Sequence, residues 1–268
     1  MSDAEWRLIR EQSLSGAEAM AYDETAARTA AAGGPRTVRL YQWEPSTLSL
    51  GYRQASETVD WERCEQRGID VIRRNTGGGG IYHDTFGDIS YSIIAPAEEV
   101  PGDLMDSYEQ FCEPLFDAFD ALGVDARFVG DEHDAIYEPA CYLRALHPAH
   151  DIVAGDGRKL SGNAQYRRKD AVIQHGSISF RRDSSRHLGC FTGAVSTDAF
   201  DGRVTSLTEL RPELTRSEVV TALEDSLAEW AGAEAGEWSD DEIAFAERRA
   251  REKYESAAWT RNRDDPTA

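Results

Sequence analysis

Four consecutive glycines, Gly77, Gly78, Gly79 and Gly80, constrain this chain more than any other feature. They follow the apolar segment Ile69-Asp70-Val71-Ile72 and precede residues 89–94, and both flanking segments have the pattern of a strand. Glycine costs backbone entropy and offers no side chain to pack. A run of four therefore predicts a loop whose backbone comes very close to another group, and a flexible turn between strands is the alternative.

Charged side chains surround this loop, with Arg73 and Arg74 before it and His83 and Asp84 after it. Successive backbone N–H groups in such a loop can point at an anion or a carbonyl oxygen. The loop is not a Walker motif, because no lysine follows the glycines, and it is not a dinucleotide fingerprint, because a strand pattern follows where that fingerprint has a helix. The pattern favours a loop that grips a ligand lying across a sheet.

Charge excludes one class of partner. The 268 residues include 49 acidic and 29 basic residues, a net charge of −20, and only Lys159, Lys169 and Lys253 are lysines. No basic face for nucleic acid can form in such a chain. The lysine-poor acidic composition predicts a protein from a salt-rich cytoplasm, where charge repulsion is screened. An ordinary acidic protein from a GC-rich genome is the alternative.

No apolar run approaches the ~20 residues that span a bilayer, and the acidic start of the chain has no signal-peptide pattern. We therefore expect a cytoplasmic protein without a membrane partner. Four widely spaced cysteines, Cys64, Cys112, Cys141 and Cys190, do not form a zinc-ribbon pattern and do not indicate a disulfide framework or a metal site. Cys112 lies beside an apolar helical stripe and is expected in the core.

Helix and strand patterns alternate along the chain. Ser15 with Glu18 predicts a capping box for a helix that ends at Gly33-Gly34-Pro35. Thr215 with Glu218, and Ser239 with Glu242, predict two more helix starts near the end of the chain. The other predicted elements are two strands at 37–43 and 47–52 joined by a turn at 44–46, a short helix at 60–67, an amphipathic helix at 104–122, a hairpin of 159–167 with 171–180, and a last helix reaching about Tyr254. This order predicts a mixed α/β domain with a helical C-terminal extension.

A second dense stretch runs from Glu138-Pro139-Ala140-Cys141-Tyr142 through His150-Asp151 and Lys159-Leu160-Ser161-Gly162-Asn163-Ala164-Gln165 to Gln174-His175-Gly176-Ser177. Lys159 in this stretch is notable because the chain has only three lysines. Its mobile point charge suits a carboxylate, a phosphate or a developing oxyanion. A solvated lysine at the end of a strand is the alternative for Lys159.

Together, these stretches resemble the lipoate–protein ligase and octanoyltransferase family, whose members attach lipoyl or octanoyl groups to proteins. The resemblance lies in the order of the Arg-Arg-x-Thr-Gly-Gly-Gly loop with His-Asp, the Asp151…Lys159-x-x-Gly162-x-Ala164 segment and the His175-Gly176 strand, with a weaker match at Lys253–Trp259. It covers roughly residues 15 to 263. The family fold that it implies is of the α+β type, a mixed, largely antiparallel sheet flanked by helices, as in biotin ligases and class II synthetases. The catalytic domain would span 15–210, and residues 211–263 would form its helical extension.

The resemblance also implies roles. Arg74 and Gly77, Gly78, Gly79 and Gly80 would hold the acyl carboxyl end and phosphate, with Asp84 beside the loop. Lys159 would contact the acyl carbonyl and the phosphate, and Asp151 would lie near the nucleotide. His83 and His175 would line the pocket with Gly162 and Ala164. The acceptor would be a lysine on the lipoyl domain of a 2-oxoacid dehydrogenase complex or on a glycine cleavage protein.

The family contains two chemistries. The intact glycine loop and Asp151 favour an ATP-dependent ligase that forms lipoyl-AMP with Mg²⁺. Activation of a carboxylate with ATP needs cations around the crowded negative oxygens, which Arg74 and Lys159 would supply. Such a short ligase would need a separate accessory subunit.

Cys141 lies where the cysteine-dependent octanoyltransferases carry their nucleophile, which favours transfer from acyl carrier protein without a cofactor. Lys159 and Arg144 are the cations expected near that thiol. A buried, inert cysteine is the alternative. We expect the ligase, with the transferase as the main alternative. A biotin protein ligase, whose arginine-rich glycine loop is absent, and a non-catalytic accessory subunit are more distant alternatives.

Overall fold

The computed structural model describes residues 5–268, so Met1-Ser2-Asp3-Ala4, part of the acidic start considered above, lie outside the described residues. The strands are β1 (Trp6–Leu14), β2 (Arg36–Trp43), β3 (Thr47–Leu50), β4 (Asp70–Arg73), β5 (Ile81–His83), β6 (Asp88–Pro96), β7 (Ala126–Phe128), β8 (Asp151–Ala154), β9 (Lys159–Arg167), β10 (Ala171–Ser179) and β11 (Glu234–Ala235). The helices are α1 (Gly16–Ala31), α2 (Trp61–Gln66), α3 (Leu104–Ala121), α4 (Ser184–Leu188), α5 (Thr197–Arg203), α6 (Leu207–Leu210), α7 (Arg216–Ala231) and α8 (Asp240–Arg249). Short 3₁₀ turns lie at Ser56–Thr58, Ala97–Glu99 and Cys141–Leu143, and π-helical turns at Ala250–Tyr254 and Ala258–Asn262 follow α8.

Eight strands form one large sheet in the order β11-β1-β2-β6-β10-β9-β8-β7. The pairings of β1 with β11 and with β2 are parallel, and the remaining pairings are antiparallel. Every residue of β6 and β10 is buried, so these two strands form the centre of the sheet. The predicted fold class, a mixed and largely antiparallel sheet flanked by helices, is confirmed.

Helices cover both faces of this sheet because side chains alternate along its strands. Leu40 and Ile93 face one side, where they share a core with Phe111 of α3 and Leu223 of α7. The opposite side packs against α1, which is itself covered by α8 and the π-helical turn after it. The tail helices therefore complete the core rather than form a separate layer. The division at residues 210 and 211 stays a prediction.

A second, three-stranded sheet has the order β4-β3-β5. The sequence predicted strands at both 37–43 and 47–52, and strands form there as β2 and the shorter β3. They are not partners, however, because β2 pairs with β1 and β6 whereas β3 pairs with β4 and β5. The turn at 44–46 thus carries the chain from the large sheet to the small one. The glycine loop joins β4 to β5 at the edge of this small sheet.

Local sequence signals account for several element boundaries. Ser15 and Glu18 form the reciprocal hydrogen bonds of a capping box at α1, and the boxes expected at Thr215 and Ser239 also form. The predicted hairpin is β9 with β10, in which Gly162 pairs with Ser177 and Gln165 with Gln174. Within residues 5–268, no helix is long and apolar enough to cross a membrane.

Candidate active site

The glycine loop is organised by the guanidinium group of Arg74. Its Nη2 donates to the carbonyl oxygens of Gly77 and Gly79 at 2.7 and 2.8 Å, and its Nη1 donates to Ser49 O at 2.7 Å and to Ser49 Oγ at 3.3 Å. Its Nε donates to Thr76 Oγ1 at 3.0 Å. These bonds use all five donors of an arginine side chain. Arg74 therefore holds the loop in shape, and burial lowers the pKa of this cation, which has no carboxylate partner among the described residues.

The glycines allow the segment that carries Cys141 to lie directly against the loop. Gly80 N donates to Pro139 O, and Cys141 N donates to Gly80 O, both at 2.7 Å. A Cβ atom at Gly79 would lie 2.8 Å from Pro139 O and 2.9 Å from Cys141 N, and Gly78 has a φ of 93°. The close approach predicted from the glycine run is therefore an approach to the cysteine segment.

A cavity of about 380 Å³ opens between the two sheets beside this loop. It gathers most of the predicted site: Arg74, Gly77, Gly78, His83, Cys141, Asp151, Lys159, Gly162, Ala164 and His175. Gly79 and Gly80 instead pack behind the cavity wall, against the cysteine segment and the ring of Phe191. Asp84 also lies outside the cavity, where it accepts from Tyr82 OH at 3.0 Å and from Gly87 N at 2.9 Å.

Cys141 differs from the other three cysteines in its exposure. Cys64, Cys112 and Cys190 are buried, whereas Cys141 is only partly buried and lines the cavity. Burial raises the pKa of the Cys112 thiol to about 12, in agreement with its expected core position. The structure thus presents one cysteine at the site, at the start of a short 3₁₀ turn.

Lys159 and Asp151 form a buried ion pair at the cavity wall, with Lys159 Nζ 2.6 Å from Asp151 Oδ1. Burial disfavours the charge of Lys159, but attraction to Asp151 and then to Cys141 outweighs burial and raises the pKa of the ammonium group. Burial likewise opposes the charge of Asp151, yet Lys159 and His150 keep the pKa of its carboxyl well below the usual range. Lys159 is therefore a fixed cation, suited to stabilising negative charge but not to accepting a proton.

His175 is held in the cavity wall by partners on both ring nitrogens. Its Nδ1 lies 3.2 Å from Asp23 Oδ2, and its Nε2 lies 2.8 Å from Thr76 Oγ1. Thr76 in turn accepts from Arg74. The histidine therefore supports the loop through a chain of hydrogen bonds, and Asp23, which comes from α1, was not foreseen.

His83, like His175, has a partner on each ring nitrogen, and one of these partners, Ser49, also accepts from Arg74. Its Nδ1 lies 3.1 Å from Asp88 Oδ2, its Nε2 lies 3.0 Å from Ser49 Oγ, and its ring stacks on Trp43. Burial lowers the pKa of His83, because the effect of burial is larger than the opposing effect of Asp88. Both predicted histidines thus line the pocket as expected, with no free ring nitrogen.

The C-terminal extension reaches the glycine loop through Lys253. This buried ammonium group donates to Glu24 Oε1 at 2.8 Å and to Asn75 Oδ1 at 3.0 Å. Trp259 Nε1 donates to Arg73 O at 2.8 Å. The weak sequence match at Lys253–Trp259 therefore marks a segment that braces the loop, a role that sequence reasoning did not assign. Glu24 and Asn75 carried no sequence signal of their own.

The cavity also has an apolar wall, which sequence reasoning did not identify because its members come from distant elements. That wall includes Met20, Tyr41, Trp43, Ile81 and Leu104. The polar end, with Lys159 and Cys141, and this apolar wall together suit a molecule with a hydrocarbon chain and a reactive carbonyl.

The chain belongs to the family of the lipoyl protein ligase A/B catalytic domain, whose model matches residues 15–228. An octanoyltransferase LipM of Exiguobacterium is 32% identical over 255 residues, covering 92% of this chain and 85% of the relative. The octanoyltransferase LipM of Kyrpidia tusciae is 33% identical over 270 residues, covering 95% of this chain and 97% of that protein.

Solved structures extend the comparison to ligases. A lipoate-protein ligase A bound with ATP superposes with a TM-score of 0.79 at 26% identity, covering 96% of this chain and 98% of that one. A bi-partite lipoate protein ligase from Thermoplasma acidophilum has a TM-score of 0.78 at 23% identity, with 96% of each chain covered, and shares the fold. The family and fold inferred from the sequence are confirmed, and the choice between ligase and transferase stays open at this level.

Proposed function

We propose that this chain is a cysteine-dependent octanoyltransferase. Cys141 takes an octanoyl group from the thioester of an acyl carrier protein and passes it to a lysine of a lipoyl domain, either in a 2-oxoacid dehydrogenase complex or in a glycine cleavage protein. The observation that carries the proposal is the position of Cys141, which is partly exposed in a cavity that the cations Lys159 and Arg74 also line. The names of the sequence relatives support the same chemistry.

The cavity suits an eight-carbon acyl chain. Its volume of about 380 Å³ and its apolar wall, formed by Met20, Trp43, Leu104 and their neighbours, offer space for a hydrocarbon chain. Burial of such a chain supplies roughly 0.8 kcal/mol per methylene group, which binds the acyl group while its carbonyl stays at the polar end. The carbonyl carbon then lies near Cys141.

The first step exchanges one thioester for another. The Cys141 thiol gives up its proton as its sulfur attacks the thioester carbonyl and the new carbon–sulfur bond forms. The donor's carbon–sulfur bond breaks, and the carrier sulfur takes up that proton and leaves as a thiol. Lys159 stabilises negative charge on the sulfur and on the carbonyl oxygen. The N–H groups of Gly77 and Gly78 have no protein acceptor within residues 5–268, so they are free to serve as further donors to that oxygen.

Arg74 acts through the loop in this proposal. Because its five donors are satisfied by protein oxygens, it contributes positive charge and loop shape in place of the direct carboxylate contact implied by the resemblance. Gly162 and Ala164 form the floor beside Lys159. A Cβ at Gly162 would lie 3.1 Å from the Lys159 Cε, so a small residue there gives the lysine side chain room.

An ATP-dependent lipoate ligase is the second candidate, supported by the likeness to the ATP-bound ligase. Lys159, Gly77 and Gly78 would then hold the acyl phosphate, and ATP with Mg²⁺ would supply the activation of the carboxylate. Asp151, the carboxylate among the predicted cavity residues, is already engaged by Lys159. The donor set therefore fits a thioester carbonyl more simply than it fits a triphosphate with its metal ion.

The test is a mass measurement on an apo lipoyl domain incubated with the protein, in molar potassium chloride because of the acidic surface. One tube contains octanoyl-acyl carrier protein and the other contains lipoate, ATP and Mg²⁺. We expect octanoylation without ATP, and loss of that activity in Cys141→Ser. Lipoylation with ATP that survives in Cys141→Ser would overturn the transferase in favour of the ligase.

A further inference from the structure

A second group at the cavity is positioned by the same carboxylate that holds Lys159. Asp151 Oδ1 faces Lys159 Nζ, whereas Asp151 Oδ2 lies 3.4 Å from His150 Nδ1. The position of Oδ2 is fixed further by the backbone N–H of His147, which donates to it at 2.8 Å. One buried carboxylate therefore orients a cation and an imidazole toward the same cavity, and about a third of the His150 side chain remains exposed.

His150 is the histidine with a free nitrogen at this site. Three of the six histidines line the cavity, and two of these, His83 and His175, have partners on both ring nitrogens. No partner exists for His150 Nε2 among residues 5–268. Outside the cavity wall, His187 is buried among aromatic rings and burial lowers its pKa to about 3. Geometry thus leaves one imidazole able to exchange a proton with a molecule in the cavity.

We infer that His150 is the catalytic base for the acceptor amine, an inference that rests on the octanoyl transfer proposed above. His150 Nε2 takes a proton from the attacking lysine nitrogen of the lipoyl domain as the carbon–nitrogen bond forms. The carbon–sulfur bond to Cys141 breaks, and the sulfur leaves as a thiolate beside Lys159. The proton on His150 then returns to that thiolate, so the enzyme regains its starting state.

The surroundings of His150 suit this task. Asp151 orients Nδ1 and stabilises the imidazolium that forms, as a carboxylate does in other acid–base pairs. The ring stacks on His147 at 5.2 Å between centroids and lies 5.7 Å from the Tyr108 ring of α3. Asp151, His147 and Tyr108 are the titratable groups nearest the ring, and Lys159 lies on the other oxygen of Asp151. Cys141, Arg144 and Arg167 line the same cavity, and Asn163 holds the His150 backbone carbonyl through a 2.9 Å hydrogen bond.

The test separates the two chemical steps in single turnovers. Wild-type protein, His150→Ala and His150→Gln are first acylated with octanoyl-acyl carrier protein, and the octanoyl-Cys141 thioester is followed by intact mass. An apo lipoyl domain is then added. We expect formation of the thioester to stay within about twofold of wild type, while its transfer to the amine slows by roughly 10²-fold or more in both variants. The defect should shrink at higher pH, where the amine loses its proton unaided, and added imidazole should restore part of the rate to His150→Ala.

Controls make each outcome decisive. His133→Ala, which changes an exposed histidine outside the cavity wall, should behave as wild type. Circular dichroism reports whether each variant folds, and His150→Gln preserves a hydrogen-bonding side chain if His150→Ala does not fold. Thioester resolution within twofold of wild type in His150→Gln would overturn the base assignment and leave the proposed function standing. Failure of the wild-type protein to form octanoyl-Cys141 would overturn both.

Discussion

The backbone N–H of Cys141 donates to the carbonyl oxygen of Gly80 over 2.7 Å. With the reciprocal bond from Gly80 N to Pro139 O, it forms a short parallel bridge between two segments that are distant in the sequence. The candidate nucleophile and the glycine loop are therefore one rigid unit. Arg74 fixes the shape of the loop through its hydrogen bonds to Gly77 O and Gly79 O, and the loop in turn fixes the position of Cys141.

Gly79→Ala should disrupt this unit. The added Cβ would lie 2.8–2.9 Å from three backbone atoms of residues 138, 139 and 141, and backbone cannot shift as a flexible side chain can. We expect the free energy of unfolding to fall by about 1–3 kcal/mol, with a loss of octanoyl transfer. Gly77→Ala is the stability control, since no atom lies within 4 Å of the added Cβ. Equal unfolding midpoints in urea for both variants would contradict the packing argument.

Lys159→Met and Asp151→Asn test whether the ion pair acts in catalysis or only in folding. Each single change leaves one buried partner uncompensated, which costs about 3–5 kcal/mol of stability. The double variant removes both charges and should recover much of that loss, measured by urea unfolding. Transfer activity should stay about 10²–10³-fold down in the double variant, because the cation at the carbonyl is gone. Recovery of activity together with stability would show that Lys159 has only a structural role.

Lys253→Met should loosen the glycine loop from the C-terminal side. The ammonium group is buried and bonds to Glu24 and Asn75, so its removal weakens the charge compensation of the Glu24 carboxylate, which keeps Arg249 and the Tyr254 hydroxyl as partners. We expect a loss of about 1–3 kcal/mol in the free energy of unfolding, as for the loss of a hydrogen bond to a charged group. Arg251→Met is the matched control, since the exposed Arg251–Glu247 pair contributes well under about 1 kcal/mol. Comparable losses in the two variants would argue against the bracing role.

The Glu242 carboxyl should make the free energy of unfolding depend on pH in the acidic range. Burial opposes its charge, but hydrogen bonds from Arg7, Ser239 and Thr29 lower its pKa from 4.5 to about 2. Because the folded pKa is the lower one, the stabilisation is present above the ordinary value and is lost as the pH falls from about 4.5 toward 2. We expect Glu242→Gln to be less stable than wild type at neutral pH, with roughly 1–2 kcal/mol of that difference gone by about pH 3. A difference that is the same at both pH values, in urea unfolding, would refute the titration.

Local signals predicted much of the fold. The capping boxes at Ser15, Thr215 and Ser239, the hairpin of β9 with β10, and the glycine loop between strands all follow from residues close together in the chain. Strand β1 was missed, because its pairing is set by β2 and β11, which are distant in sequence. The separate sheets of β2 and β3 were missed for the same reason.

The site was predicted as a set of residues but not as a mechanism. The order of the motifs predicted that Cys141, Lys159 and Arg74 belong to one site, and all three line the cavity. Motif order alone did not indicate that all five donors of Arg74 are satisfied by the protein, or that the Asp84 carboxylate accepts from Phe86 N and Gly87 N of its own turn. Nor could it indicate that Asp23, Glu24 and Lys253 would converge beneath the glycine loop, since these partners meet only after the helices pack.

The most direct test of the account is to trap the acyl group on Cys141. The protein is mixed with octanoyl-acyl carrier protein in the absence of any lipoyl domain and without ATP, then digested, and the cysteine-containing peptides are identified by mass spectrometry. We expect an octanoyl thioester on the peptide that contains Cys141, labile to hydroxylamine, with buried Cys112 as an internal unmodified control. Octanoyl transfer to an added lipoyl domain in Cys141→Ser, without any such thioester in the wild-type protein, would contradict the central claim.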